Sequence, residues 1–266
     1  MTKRSPIRAT VGAGATAATS TGAVLFDLDG TFADTAPDMG AALNRLRAAH
    51  GQPPLPLAML RPHVSSGSLG MLRVGFGIGP DHPDYGHLRE AYLACYAADL
   101  CRDTLLFPGI AELIAGLATR GRSWGIVTNK PAWLTDPLLA AMDLPAPPAC
   151  VVSGDTLARA KPHPDPLLHA CQLLHLAPSD CWYIGDDQRD ILAGRAAGMA
   201  TLAALYGYLG VDCPPHDWGA DGLIAHPLEV LAWVDGVDCS RIDAVAGAAA
   251  TTRPPPGAAG RADVPN

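Results

Sequence analysis

The chain has 266 residues, of which 48% are hydrophobic, and it carries a formal net charge of −7 at pH 7. This length provides for one large domain, or for a core domain with a smaller one, and for a sizeable buried core. General binders of nucleic acid or of anionic membranes need a basic surface, so the acidic balance excludes both classes and any phosphate site must be local.

The seven cysteines are odd in number and scattered, and none of them forms a Cys-x-x-Cys pair. This distribution argues against a disulfide framework and against a zinc site. Several of these cysteines lie in apolar runs, where a free thiol behaves as a small hydrophobic side chain. We therefore expect a reducing, cytoplasmic location.

Both ends of the chain have a biased composition. Residues 1–21 are rich in Thr, Ala, Gly and Ser, and residues 243–266 are rich in Ala, Gly, Pro and Thr. We expect two disordered tails, because such segments cannot bury enough apolar surface to fold. The basic residues near the start precede no apolar run, which predicts neither a signal peptide nor a membrane span.

The first predicted strand is a short apolar run, residues 23–26, followed by Asp27, Asp29, Gly30 and Thr31. A continuous apolar run of this length predicts a buried parallel strand, and open α/β sheets bind ligands where such strands end. The period of two places both carboxylates on one side, where Mg²⁺ would relieve their repulsion. The alternative is an exposed Asp-x-Asp-Gly turn.

Residues 35–107 show helical periodicity and no convincing strand. Apolar residues share one face over residues 41–49 and again over residues 88–100, whereas residues 53–62 predict a loop. Because this stretch follows the first strand directly, we expect it to be a helical cap domain that lies over the strand ends.

From residue 108 onward, apolar strands alternate with amphipathic helices, which predicts right-handed βαβ units and a parallel sheet. The predicted strands cover residues 124–127, 150–152, 181–184, 200–203 and 222–224. The predicted helices cover residues 110–119, 133–142, 166–174 and 190–197, with Gly198 at a helix C′ position. The predicted fold is therefore α/β, with a Rossmann-like parallel sheet in a three-layer α/β/α core, formed by residues 22–34 and 108–242, and an inserted helical cap.

Two further candidate sites occur at later positions of this core. Thr128 and Asn129 directly follow the strand at 124–127, where a hydroxyl and free N–H groups suit a phosphate oxygen. Threonine and asparagine before a helix are also ordinary caps. Lys161, next to Pro162, is a point charge on a stiffened loop, suited to a phosphoryl group; the alternative is a solvated lysine.

A second carboxylate cluster, formed by Asp186, Asp187 and Asp190, follows the strand at 181–184. Acidic residues that stabilise a helix N-terminus are the alternative explanation. The combination is more informative than any single site, since two strands end in carboxylates and the Thr-Asn pair and Lys161 lie between them in the chain.

The four sites, in this order, resemble the four motifs of the haloacid dehalogenase superfamily of phosphotransferases, over about residues 23–234. Within that superfamily the chain is similar to the phosphoglycolate phosphatase group, which has a helical cap between the first two motifs. Segments that support this placement are 35–38, 128–131, 193–198 and 206–208. The segments 218–221 and 226–229 also resemble the N-acetylmuramic acid 6-phosphate phosphatases.

The resemblance implies a Mg²⁺-dependent phosphomonoester hydrolase that forms an aspartyl-phosphate. Asp27 would be the nucleophile, and Asp29 would be the general acid and then the general base. The metal ligands would be Asp27, the main-chain carbonyl of Asp29, and Asp186, with Asp187 as a further or water-mediated ligand.

The same resemblance assigns the phosphoryl oxygens to Thr128, Asn129 and Lys161, of which Thr128 and Lys161 join the catalytic set. Asp190 would orient Lys161 or a metal-bound water. The implied partner is a small phosphorylated metabolite, with 2-phosphoglycolate as the first choice, and neither nucleic acid nor membrane. The chain would act as a monomer or a homodimer.

The non-phosphate end of the substrate would lie under the cap. Ser66 and Gly67 belong to a loop of small residues that either contacts this end or only joins two cap helices. A substrate carboxylate would need a cationic or N–H-rich partner there, and the available donors are Arg61, His63, Arg73 and the N–H groups of residues 66–68.

Several alternatives stay open. N-acetylmuramic acid 6-phosphate or another small sugar phosphate could be the substrate. A phosphomutase would keep all four motifs, and a catalytically inactive phospho-aspartate binding module would be expected to have lost an acid. A signalling receiver lacks a cap, and a dehalogenase needs no Mg²⁺; the second acid, Asp29, disfavours both.

Overall fold

The architecture comes from a computed structural model that describes residues 21–210 and 213–236. The predicted tails lie outside these residues, apart from Thr21. The chain divides into two compact units after Leu231, and the first contains the whole sheet and the site discussed below. Of the second unit, the described part is residues 232–236, in which the last helix ends.

Within the described residues, six parallel strands form one sheet in the order β5-β4-β1-β6-β7-β8. Their bounds are β1 (Ala23–Phe26), β4 (Ser123–Val127), β5 (Cys150–Val152), β6 (Cys181–Gly185), β7 (Ala200–Ala204) and β8 (Gly222–Ile224). The sequence prediction of these six strands is confirmed, and no strand end differs from it by more than one residue.

The central strand β1 lies between β4 and β6. The register aligns Phe26 with Ile126 on one side and with Ile184 on the other. Since the three strands are parallel, the residues that follow them meet at one edge of the sheet, where the chain crosses to either side of β1. This edge receives Asp27 from β1 and Asp186 from β6.

Helices flank the sheet and bury its apolar faces. They are α5 (Ile110–Thr119), α6 (Ala132–Ala141), α7 (Asp165–Leu174) and α8 (Gln188–Ala197). Helix α9 (Val230–Val234) follows β8 in the chain. The first four match the predicted helices to within two residues, and Gly198 ends α8 with a left-handed φ of 79°. Among the described residues, no helix is long and apolar enough to cross a membrane.

A helical block lies between β1 and β4 in the chain, and we call it the cap. Its helices are α1 (Ala36–Ala49), α2 (Leu57–Leu60), α3 (Gly67–Phe76) and α4 (Tyr85–Ala97). A short antiparallel pair, β2 (Ala33–Asp34) with β3 (Leu105–Leu106), joins the cap to the core. Its interior contains Leu43 and Leu46 of α1 and Tyr92 and Tyr96 of α4, on the faces that the periodicity predicts.

The structure differs from the prediction at three places in the cap. Gly67, expected in a loop with Ser66, is the first residue of α3. The loop predicted over residues 53–62 contains α2 and the start of a 3-10 turn, Arg61–His63. Prolines do not prevent these elements, because they stand before the helix and near the start of the turn, where no N–H donor is needed. Strand β3 lies where no strand was expected, since two residues are too few to show a period.

Candidate active site

Three buried carboxylates meet at the edge of the sheet. Asp27 follows β1, Asp186 follows β6, and Asp190 belongs to the first turn of α8. Each offers one oxygen, and the three oxygens lie within 4.8 Å of one another, close enough to bind one metal ion. We call these residues the carboxylate cluster.

Asp186 is fully buried and held from both of its oxygens. The hydroxyl of Thr31 donates to Oδ1 at 2.9 Å, and the hydroxyl of Ser65 donates to Oδ2 at 2.7 Å. Burial, together with the charges of Asp27 and Asp190, raises the pKa of Asp186 to about 7. An ionised Asp186 is therefore costly in the protein alone, and a bound cation would remove this cost.

Glycine is needed on both sides of Asp186. A Cβ at Gly30, whose φ is 91°, would lie 2.2 Å from Oδ2 of Asp186, and a Cβ at Gly207 would lie 2.3 Å from its Cβ. No side chain fits at these distances, so the two glycines allow the main chain to pass directly beside the carboxylate.

Lys161 lies at the centre of the buried charges. Its Nζ is 2.9 Å from Oδ1 of Asp27 and 2.7 Å from Oδ1 of Asp190, and it also donates to the hydroxyl of Tyr183 and the carbonyl of Val127. Burial lowers the pKa of this lysine, but the two carboxylates raise it, and the net direction is upward. Lys161 is therefore charged and fixed in one position.

The side chain of Asn129 holds the loop that carries Lys161. Its amide donates to the Lys161 carbonyl at 2.9 Å and accepts from the Lys161 N–H at 3.1 Å. Thr128 is buried beside it, and its hydroxyl accepts from the N–H of Lys130 at 3.2 Å. The contribution of Asn129 to phosphate binding stays a prediction, since its side chain is engaged with the main chain of Lys161.

Asp190 and Asp187 form a capping box at the start of α8. The Asp187 carboxylate accepts from the N–H of Arg189, and Asp190 Oδ2 accepts from the N–H of Asp187 at 3.1 Å. Burial raises the pKa of Asp190 to about 6, against the opposing charge of Lys161. Asp187 also pairs with the Arg189 guanidinium at 2.9 Å and is not part of the carboxylate cluster, so its predicted role as a metal ligand stays a prediction.

Asp29 lies on the cap side of Asp27 and has a different set of partners. Lys130 Nζ lies 2.9 Å and 3.0 Å from its two carboxylate oxygens, and the hydroxyl of Thr35 donates to Oδ1 at 2.6 Å. The Lys130 ammonium also lies 4.6 Å from the centre of the Tyr96 ring, in a cation–π contact. Lys130 belongs to the segment 128–131 that supports the family resemblance, and nothing in the sequence pairs it with Asp29.

A cavity of about 250 Å³ opens beside these carboxylates, between the core and the cap. Asp27 and Asp29 line it from the core, together with Thr128, and the predicted contacts Ser66 and Gly67 line it from the cap. The predicted site residues from both parts of the chain therefore surround one space.

The predicted donors for a substrate carboxylate do not all lie in this cavity. Arg61 pairs with Asp34 at 2.8 Å, and His63 and Arg73 line a second cavity. An arginine that the sequence analysis did not single out, Arg89 of α4, lines the cavity instead.

Two buried carboxylates that follow neighbouring parallel strands, a lysine beside them and a cavity under a helical insertion are the features of an aspartate-based hydrolase on a Rossmann-like sheet. Residues 24–204 match the model of the haloacid dehalogenase-like hydrolase family, and the chain belongs to that family.

The chain is also similar to individual members. An N-acetylmuramic acid 6-phosphate phosphatase from Pseudomonas aeruginosa is 41% identical over 82% of this chain and 96% of its own length. A phosphoglycolate phosphatase from Xanthomonas campestris is 46% identical over 79% of this chain and 96% of its own. The crystal structure of a predicted phosphoglycolate phosphatase from Haemophilus somnus shares the fold, with a TM-score of 0.70 and 23% identity over 81% of this chain and 99% of that one.

Proposed function

We propose that this chain hydrolyses small phosphomonoesters in a Mg²⁺-dependent reaction, through an aspartyl-phosphate on Asp27. The observation that carries the proposal is the carboxylate cluster with Lys161, beside a cavity that also contains Asp29. The phosphatases among its relatives support the same reaction class.

The carboxylate cluster fits a magnesium ion. Its donors are hard oxygen atoms, and burial together with the neighbouring carboxylates raises the pKa of Asp186, a cost of ionisation that a bound cation would remove. Asp27 and Asp186, with the main-chain carbonyl of Asp29, would hold the ion, while Asp190 is joined to Lys161. When bound, Mg²⁺ would neutralise charge on a phosphoryl oxygen during transfer.

Asp27 is oriented for nucleophilic attack. The N–H of Leu28 donates to its Oδ1 at 2.8 Å, and Lys161 contacts the same oxygen. Among the described residues, no hydrogen bond is made to Oδ2, which makes Oδ2 the attacking atom. Its attack on phosphorus forms the new P–O bond as the bond to the leaving oxygen breaks, and Lys161 stabilises the negative charge of the transferring group.

Asp29 moves the proton in both half-reactions. As an acid it gives its proton to the leaving alcohol oxygen, and as a carboxylate it then takes a proton from the water that attacks phosphorus. The bond between phosphorus and Asp27 breaks in the second step, which releases phosphate and restores the Asp27 carboxylate. Lys130 and Thr35 hold the Asp29 carboxyl in one orientation for these transfers.

The substrate we infer is 2-phosphoglycolate, which is hydrolysed to glycolate and phosphate. The second candidate is N-acetylmuramic acid 6-phosphate, because relatives with both names match this chain at similar identity and coverage. We also infer a cytoplasmic protein, since the six cysteines among the described residues are all free.

The test measures phosphate release from p-nitrophenyl phosphate, 2-phosphoglycolate and N-acetylmuramic acid 6-phosphate, with Mg²⁺ and with EDTA. We expect activity only with Mg²⁺, and we expect the folded Asp27→Asn variant to lose at least about 10⁴-fold in kcat. A folded Asp27→Asn protein with near-normal kcat, or full activity in EDTA, would refute the proposal.

The kcat/KM values for the two candidate substrates decide between them. A preference of more than about tenfold, roughly 1.4 kcal/mol of transition-state binding, separates 2-phosphoglycolate from the muramic compound. Transfer of the phosphoryl group to a sugar without release of inorganic phosphate would identify a phosphomutase. Binding of Mg²⁺ without any turnover would identify a binding module.

A further inference from the structure

Three cationic side chains line the cavity among the described residues: Lys130, Arg189 and Arg89. Two of them already have anionic or carbonyl partners. Lys130 binds both oxygens of Asp29, and Arg189 pairs with Asp187 and donates to the Ser65 carbonyl. The side chain of Arg89 makes neither a hydrogen bond nor an ion pair within the part of the chain that the structure describes. It is therefore the cation of this cavity that is available to a ligand.

The position of Arg89 is set by the helix that forms one wall of the cavity. The α4 residues Arg89, Tyr92, Leu93 and Tyr96 all line it, at the spacing of three and four that defines one helix face. Tyr96 lies at the reacting end, because its ring contacts the Lys130 ammonium. Seven residues separate Tyr96 from Arg89, which is roughly 10 Å along the helix. Arg89 thus lies at the end of the cavity that is farther from the acid.

The charges of the cavity show why an anionic ligand needs a cationic side chain as its partner here. Asp27 and Asp29 both line the cavity from the core, and the charge of Lys130 is used to balance Asp29. A substrate whose leaving group is itself anionic would be repelled unless another cation faced it. A guanidinium presents two parallel N–H donors that match the two oxygens of a carboxylate.

We propose that Arg89 binds a carboxylate on the leaving group of the substrate, and so selects phosphomonoesters that carry one. This inference rests on the proposed phosphatase function and adds its specificity residue. Both candidate substrates join a phosphate ester to a carboxylate. N-acetylmuramic acid 6-phosphate, whose carboxylate is remote from its phosphate, fits the position of Arg89 directly, whereas 2-phosphoglycolate, with one CH₂ between the carboxylate and the ester oxygen, requires Arg89 to extend toward Asp29. Of the donors expected from the sequence, residues 66–68 line this cavity, whereas Arg61, His63 and Arg73 do not.

The experiment compares matched substrates that differ in the carboxylate. One pair is 2-phosphoglycolate and its uncharged amide; the other is N-acetylmuramic acid 6-phosphate and N-acetylglucosamine 6-phosphate. Wild type, Arg89→Met and Arg89→Lys are assayed with each pair. The control variant is Arg102→Met, which makes the same side-chain change at an exposed cap arginine outside this cavity.

For Arg89→Met we expect kcat/KM to fall at least about 30-fold for the carboxylate member of the preferred pair and less than about threefold for its partner. The loss should appear mainly in KM, because Arg89 lies away from the reacting atoms and binds the substrate and the transition state alike. Arg89→Lys should recover part of the loss, since it keeps the charge but not the paired donors. Arg102→Met should match wild type with every substrate.

Equal losses for both members of a pair, or no loss with either, would overturn the role of Arg89. Thermal unfolding is measured in parallel, and we expect no change in Tm because the Arg89 side chain is exposed. The proposed function has its own readout, the Mg²⁺-dependent hydrolysis of p-nitrophenyl phosphate and its loss in Asp27→Asn. If Mg²⁺-dependent hydrolysis of p-nitrophenyl phosphate is intact but the Arg89 variants do not discriminate between the members of a substrate pair, only the inference about Arg89 is rejected.

Discussion

The two halves of the site each contain a buried lysine paired with a carboxylate, but they are built differently. On the side that we propose binds the phosphoryl group, Lys161 contacts Asp27 and Asp190, and all of these residues belong to the core. On the side that we propose faces the leaving group, Lys130 of the core binds Asp29 and lies against Tyr96 of the cap.

This difference separates chemistry from selectivity. Every described side-chain contact of Lys161 comes from the core, although Asp186 also accepts a hydrogen bond from Ser65 of the cap. The leaving-group side is assembled where core and cap meet, and its cavity wall includes α4 with Arg89. Changes in the cap should therefore alter which alcohol leaves more than whether phosphate is transferred.

Asp29→Asn should give the largest difference in activity between a substrate whose leaving group needs a proton and one whose leaving group does not. An amide cannot give or take the proton, so kcat/KM for 2-phosphoglycolate should fall about 10²–10⁴-fold. With p-nitrophenyl phosphate, whose leaving group needs little protonation, one equivalent of p-nitrophenol should appear in a burst before slow turnover. Stopped-flow absorbance measures the burst. Its absence, with equal losses for both substrates, would contradict the role of Asp29.

Lys161→Met should damage the phosphoryl side whatever alcohol leaves. We expect kcat to fall about 10²–10³-fold with every substrate, because a preorganised charge on the transferring group is lost. The free energy of unfolding should also fall, by roughly 3–5 kcal/mol, since Asp190 is left buried without its cation. Chemical denaturation measures this loss.

A second variant separates these two effects. Adding Asp190→Asn to Lys161→Met removes the uncompensated charge, so the double variant should recover part of the stability but none of the activity. Recovery of activity would mean that Lys161 acts only through Asp190.

Lys130→Met should have a smaller effect that depends on the leaving group. In this variant Asp29 still accepts the hydrogen bond from Thr35 and still lines the cavity. Its carboxylate is therefore held less tightly but stays near the substrate. We expect kcat/KM for 2-phosphoglycolate to fall about 10-fold and that for p-nitrophenyl phosphate to change less than threefold. An equal fall for both substrates would place Lys130 on the phosphoryl side.

The smallest effect concerns the stability of the metal-free protein. The pKa of Asp186 is raised to about 7 in the fold, so the folded state binds more protons than the unfolded state between about pH 4 and pH 7. Stability should therefore decrease as pH rises through this window, lowering Tm by on the order of 5 °C. Mg²⁺ should restore Tm at pH 7.5, because it binds the ionised carboxylates.

Asp186→Asn is the matched control for this measurement. The variant has no carboxyl to ionise, so its Tm should vary less with pH and should no longer rise with Mg²⁺. A wild-type Tm that increases from pH 5 to pH 7.5 without metal would contradict the assigned direction.

Much of the core could be predicted because its signals are local. An apolar run as short as Ala23–Phe26, bounded by glycine and aspartate, favours a buried strand over a helix, and helix α5 was predicted with the bounds it has. The cap was predicted less well, since β3 has two residues and α2 has four, too few for a period to show.

The sequence by itself determined that Asp27 and Asp186 meet, since each follows a buried parallel strand and such strands end at one edge. Only the tertiary structure decided the partners of Asp29 and the free cation of the cavity. Lys130 is 101 residues from Asp29 in the chain, and Arg89 faces the cavity because of how α4 is rotated against α1 and α3. The physical reason is that strand ends are aligned by main-chain hydrogen bonds with a fixed register, whereas the rotation of a helix follows from the packing of all its neighbours.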